Sequence, residues 1–293
     1  MIHLVLALLP IVIPAQAQET RAQAGQELKI DELEITYLAN DGFLLEAGPY
    51  SVLIDGFVAK KVDDYPALPE RVAKRLAAGQ KPFRGRVFCL VSHPHPDHFQ
   101  ARLLEQFLDH NERASLISGP RVVARLQEEA KDFTKIKGRV RAMPVDPGRV
   151  RVLDLATGFR IAFMQMPHVG ELASPNYGHI IDLGGFKILH VGDAEASPEV
   201  FSALGFPGPE VDVAIVPFWF FTSEDGIHIL DDMIRPGTKV VTHVPKSELE
   251  LFSARLELDN PDAVLFRRCL DSRTLRRAAD AAPEKEESTD SEN

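Results

Sequence analysis

The chain has 293 residues, 45% of them hydrophobic and 26% charged, which is apolar material enough for one large domain with a thick core. Its formal net charge is −10, and half of that comes from the C-terminal stretch, where Asp280, Glu284, Glu286, Glu287, Asp290 and Glu292 are set against Lys285 alone. The remaining body is only mildly acidic and has no basic excess with which to hold a nucleic acid, so that class of partner is excluded.

The first segment is apolar from Leu4 to Ile13 and closes on Pro14-Ala15-Gln16-Ala17, a small-x-small pattern of the secretory type. It is too short to span a bilayer. The pattern predicts a signal peptide over residues 1–17 and a mature chain that is periplasmic or secreted. The usual positive charge ahead of the apolar run is missing, which leaves a buried N-terminal strand as the other reading. No cysteine follows the run, so no lipid anchor and no stable membrane attachment are expected.

From Leu33 onward, short apolar runs alternate with turn residues. Leu33–Leu38, Phe43–Glu46 and Ser51–Ile54 read as strands, the last two joined through Gly48-Pro49. A helix is predicted over 68–76, with Val72 and Leu76 on one face. Val87–Val91 is a strand carrying Cys89, and Leu103, Leu104, Phe107 and Leu108 recur at helical spacing. Further strands are expected at 149–153, 159–165, 179–183, 186–191, 211–216 and 238–242, with helices near 197–204, 228–234 and 246–256. Gly170–Tyr177 reads as a loop. Mixed elements without a long linker predict one α/β domain over residues 18–281, followed by a polar, aperiodic tail over 282–293. The two cysteines, Cys89 and Cys269, are too few for a disulfide framework and read as buried free thiols.

One stretch occurs twice. Asn40–Leu53 aligns without a gap with Asn176–Leu189, matching Asn, Gly, an acid, a second Gly, an aromatic and the closing apolar pair. A strand–turn–strand unit used twice predicts two similar halves packed face to face.

Ser92-His93-Pro94-His95-Pro96-Asp97-His98 follows the apolar strand directly. Three imidazoles and a carboxylate this close are a donor set for zinc or another divalent first-row metal. Pro94 and Pro96 push the residues before them toward extended geometry, so His93 and His95 can share one ion while Asp97 and His98 turn to a second.

His-x-His-x-Asp-His after an apolar strand resembles the signature of the metallo-β-lactamase superfamily. Other residues match that family's pattern in order: Asp55 after Val52-Leu53-Ile54, His168 after Met166-Pro167, Asp193 closing Val191-Gly192-Asp193, and His243 after Val241-Thr242. The resemblance implies an αββα sandwich of two similar halves. It implies that His93, His95 and His168 hold one metal, that Asp97, His98 and His243 hold another, and that Asp193 bridges them beside a water or hydroxide. The ions would be zinc, with manganese or iron as alternatives. Asp97 and Asp193 are the candidate catalytic carboxylates, and Asp97 could also carry a proton.

The resemblance, with every expected position filled, implies hydrolysis of a small-molecule ester, lactone or phosphodiester. A metal-binding periplasmic sensor without turnover is the reading from another class. Trp219, Phe218 and Tyr177 are the candidate substrate walls, with ordinary core packing the alternative for the aromatic run at 218–221. Among the other histidines, His179 falls opposite Phe43 in the repeat and reads as a strand position. His190 reads as buried and hydrogen-bonded, and His110 and His228 as solvent-facing. Asp55 is expected to support the site rather than ligate.

Overall fold

The computed structural model describes residues 30–206, 208 and 210–277. The signal peptide expected at 1–17 and the tail expected at 282–293 lie outside the described residues.

Among the described residues, fourteen strands form two sheets of seven. The first contains β1 (Glu32–Ala39), β2 (Gly42–Ala47), β3 (Tyr50–Ile54), β4 (Val87–Leu90), β5 (Ser115–Ser118) and β6 (Val140–Ala142). The second contains β7 (Val150–Ala156), β8 (Phe159–His168), β9 (Glu171–Leu183), β10 (Phe186–His190), β11 (Val213–Pro217), β12 (Thr238–Thr242) and β13 (Val264–Leu265), and the last strand, β14 (Ser272–Arg276), returns to the first sheet. The orders are β14-β1-β2-β3-β4-β5-β6 and β13-β12-β11-β10-β9-β8-β7. In each sheet four strands pair antiparallel and the pairing then turns parallel, at β3–β4 in one and at β10–β11 in the other.

The repeat read from the sequence lies at the matching place in each sheet. Its hairpins are β2–β3 and β9–β10, which share one register: Ala47 faces Tyr50 and Phe43 faces Ile54, as Leu183 faces Phe186 and His179 faces His190. Gly48 and Gly184 both take positive φ at the turn.

Strand alternation sorts the side chains into layers. Phe43, Leu45, Val52, Ile54, Phe88 and Leu90 point inward and meet Phe163, Ile181, Ile188, Val213 and Ile215 of the other sheet. Leu44, Leu53, Cys89 and Leu116 point outward beneath α1 (Glu70–Ala77), α2 (Ala101–His110) and α3 (Pro120–Glu129). Leu189, Val191, Ala214 and Val216 do the same beneath α4 (Pro198–Ala203), α5 (Glu224–His228) with its π-helical continuation Ile229–Ile234, and α6 (Leu249–Asp259). Each large side chain buried this way contributes about 1.5–3 kcal/mol. The architecture is thus the expected αββα sandwich. Among the described residues no helix is long and apolar enough to cross a membrane.

Some expectations are corrected. The stretch read as the loop Gly170–Tyr177 is strand from Glu171, so β8 and β9 form a long arm with His168 near its tip. The helix expected at 246–256 runs from Leu249 to Asp259. Both cysteines are free, but only Cys89 is buried; Cys269, in the segment between β13 and β14, is half-buried.

Candidate metal centre

The site lies where parallel strands end, the usual position for chemistry in α/β sheets. Asp55 follows β3, the His93–His98 stretch follows β4, Asp193 follows β10, Trp219 follows β11 and His243 follows β12, while His168 ends β8. Several of these turns are held in sparsely populated geometry. Asn40, Asp55 and His243 all have positive φ, at 50°, 46° and 58°. Gly42 is required there, since a Cβ would stand 2.7 Å from the Asp55 carbonyl oxygen.

Among the described residues three groups of donors converge: His93, His95 and His168; Asp97, His98, Asp193 and His243; and Asp41, Asp55 and His190. The first two hold the expected ligands. In the first, the His93 and His168 Nε2 atoms are 3.3 Å apart, and the His95 ring lies 4.6 and 4.7 Å from those two rings. In the second, the His98 and His243 Nε2 atoms are 3.2 Å apart, and Asp97 Oδ2 is 3.5 and 3.3 Å from them. Asp193 reaches both groups. Its Oδ2 is 3.5 Å from His168 Nε2 and 3.2 Å from His243 Nε2, and its Oδ1 is 3.2 Å from His98 Nε2.

These spacings fit metal ions. A tetrahedral ion with bonds of about 2.0–2.1 Å to nitrogen separates its ligand atoms by roughly 3.3 Å. Two facing imidazole nitrogens at that distance otherwise need a proton between them. The electrostatics agree. Burial opposes charge on His243, yet the Asp193 and Asp97 carboxylates outweigh it and lift its pKa to about 9. His98 is raised in the same way against its burial, chiefly by Asp193. Burial disfavours the Asp193 anion, but His98 and His243 hold its pKa well below the carboxylate range. His93, by contrast, is kept neutral by burial and by its neighbour His98. The centre therefore carries protons that a pair of cations would displace.

The ligands are oriented from behind. Asp55 Oδ2 lies 3.0 Å from His98 Nδ1, and the same carboxylate accepts the Ser92 N–H at 2.8 Å. His168 Nδ1 donates to the Val169 carbonyl at 2.7 Å, leaving Nε2 to face the centre. Ser92 Oγ lies 2.9 Å from His93 Nδ1. His190, buried as expected, accepts the Gly192 N–H on Nδ1, so Nε2 donates to the Asp41 carbonyl at 3.0 Å.

Asn40 and Asn176, equivalent positions of the repeat, each hold one aspartate, the first at its carboxylate and the second at its backbone N–H. Asn40 Nδ2 donates to Asp97 Oδ2 at 3.2 Å. Asn176 Oδ1 accepts the Asp193 N–H at 3.1 Å while its Nδ2 donates to the Val191 carbonyl. Sequence reasoning missed both, although the repeat pairs them. It also missed Asp41 and Tyr65, for which the sequence carries no signal.

The candidate substrate walls divide. Trp219 stands at the site, its ring 5.4 Å from that of His243 and its Nε1 donating to the Ala194 carbonyl at 3.0 Å. Phe218 sits a layer back, between Trp219 and Phe252. Tyr177 is buried and lines a separate cavity of about 220 Å³ with Ser92, Pro94, Gly119 and Arg121. His110 and His228 are exposed.

Fold and donor set together define the metallohydrolase class. Residues 52–249 match the family described as the Beta-lactamase superfamily domain. The chain belongs to that superfamily, a family of metal-dependent hydrolases with the metallo-β-lactamase fold. None of the curated proteins matches the sequence. Among solved structures, the chain is similar to Igni18, a metallo hydrolase from the archaeon Ignicoccus hospitalis, at 17% identity and TM-score 0.56, over 84% of this chain and 100% of that one. It is also similar to an isothiocyanate hydrolase from Delia radicum gut bacteria (13%, TM-score 0.57, 83% and 100% covered). A third is the metallo-beta-lactamase fold protein YhfI from Bacillus subtilis (13%, TM-score 0.54, 83% and 100% covered).

Proposed function

We propose that this chain is an exported dinuclear hydrolase of a small-molecule ester, lactone or phosphodiester. The observation that carries the reading is Asp193, whose two carboxylate oxygens lie within 3.2–3.5 Å of imidazoles from both donor groups. His93, His95 and His168 would hold one divalent ion, and Asp97, His98 and His243 the other, with Asp193 shared. Imidazole and carboxylate donors suit zinc, and manganese or iron as well. Bound there, two cations would lower the pKa of water toward neutrality and polarise the scissile group.

The chain's own residues do the rest. Asp55 and the Val169 carbonyl fix the tautomers of His98 and His168, which keeps their Nε2 atoms free to ligate. Asp97, braced by Asn40, holds an oxygen toward the centre and can take up or release a proton there. Trp219, pinned through its Nε1, packs its ring against that of His243. Export rests on the apolar run Leu4–Ile13 and the Pro14-Ala15-Gln16-Ala17 sequence after it.

The test is protein reconstituted with zinc, manganese or iron and assayed on a p-nitrophenyl ester, a γ-lactone and bis(p-nitrophenyl) phosphate. Two ions per chain and turnover of at least one substrate, lost on chelation, are expected. Full loading with no turnover of any of the three would reject the hydrolase reading.

A further inference from the structure

Tyr65 stands at the centre with no role in ligation. It lies in the segment between β3 and α1, and its ring rests 4.2 Å from that of His243, on which Trp219 also packs. Two aromatic rings thus flank the last histidine. The Tyr65 side chain is half-buried. The group beside the last histidine is a phenol, able to donate one hydrogen bond.

Its placement is built. Asp64, the preceding residue, fastens this segment to the one that follows His243: its carbonyl accepts the Lys246 N–H at 3.1 Å and its carboxylate accepts the Ser247 N–H at 2.7 Å. A turn closes on the other side, where the Tyr65 N–H reaches the Val62 carbonyl at 3.0 Å. Tyr65 is therefore tied to the segment that follows His243, and a donor held this way needs little reorganisation when charge develops nearby.

The charge around the centre points to the kind of substrate. The Asp97 and Asp193 carboxylates have histidine rings and the Asn40 amide as partners among the described residues, and no Lys or Arg. Four buried carboxylates, Asp41, Asp55, Asp97 and Asp193, would offset the four positive charges of two divalent ions. A centre balanced in this way suits a neutral acyl group better than a phosphodiester anion.

We propose that the Tyr65 hydroxyl is a substrate-contacting catalytic group, donating a hydrogen bond to the carbonyl oxygen of a neutral ester or lactone, with Asp64 as its positioning residue. This rests on the hydrolase reading above. Metal-loaded parent, Tyr65→Phe, Asp64→Ala and Asp64→Asn are compared for metal content, for kcat and KM on a p-nitrophenyl ester, and for the Kd of benzoate by titration calorimetry. Tyr65→Phe should keep the full metal complement, lose about 100-fold in kcat with little change in KM, and bind benzoate several-fold more weakly. Asp64→Ala should share part of that loss, and Asp64→Asn, which keeps an acceptor for Ser247, should recover it. No change in either rate or benzoate affinity on Tyr65→Phe would overturn the proposal. Loss of metal from that variant would overturn it too, by making the ring a prop for His243. A parent that cleaves no ester, yet loses benzoate affinity on Tyr65→Phe, would reject the hydrolase reading and leave the donor in place.

Discussion

At the scale of single residues, the histidines of the centre do opposite things according to their neighbours. His93 faces other imidazoles and is held neutral, whereas His243 faces Asp97 and Asp193 and is lifted from the ordinary 6.5 to about 9. A group raised on folding contributes stability that is complete below its unfolded pKa and is lost as pH rises through the folded one. Metal-free protein should therefore lose thermal stability between about pH 6.5 and pH 9, the window set by His243. His93, being depressed, acts in the other direction, below pH 6.5. Metal-loaded protein should not follow the fall, because cations take the place of the protons and bind better as pH rises. Thermal melts with and without chelator across that range measure the difference, and a metal-free midpoint that stays level or climbs would contradict the assignment of His243. The ligand residues were legible because their types and order are rare together. Asp41 and Tyr65 were not, because a lone Asp or Tyr beside a turn is ordinary in any sequence. Only the fold brings them to the centre.

Among the elements, those with a clear period were the ones the sequence disclosed. β1, β2, β3, β4 and the helix at Ala101–His110 carry alternating or helical apolar patterns and were located within a few residues. β5 has four residues, β13 has two, and β14 is the polar run Ser272–Arg276 at a sheet edge, none long or apolar enough to declare itself. The helix Pro120–Glu129 buries only Val122 and Leu126, and the arm from Glu171 contains Pro175, so neither carried a period. The repeated hairpin was the most informative element, and it also exposes a cost. His179 takes the place of Phe43, is fully buried beside Phe163, has no hydrogen-bond partner on either ring nitrogen, and is depressed by burial to about 3. An unpartnered buried polar group costs about 1–3 kcal/mol. His179→Phe should raise the melting temperature by a few degrees, extend stability toward acid pH and leave metal content unchanged. A variant that melts lower would show that the ring nitrogens contribute to the fold.

On the scale of the whole molecule, two matching sheets place the ends of β3, β4, β10 and β12 around one point, and each half contributes what the other lacks. The first half supplies the dense His93–His98 stretch, and the second supplies His168, Asp193 and His243 singly. The central claim is that both donor groups are filled and that Asp193 stands between the two ions. Diffraction from crystals of zinc-loaded protein, recorded above and below the zinc absorption edge, tests it most directly. The account predicts two anomalous peaks, roughly 3.5–4 Å apart as in other two-metal sites, one among His93, His95 and His168 and the other among Asp97, His98 and His243, with the Asp193 carboxylate touching both. A single peak, or two peaks that Asp193 does not join, would contradict it.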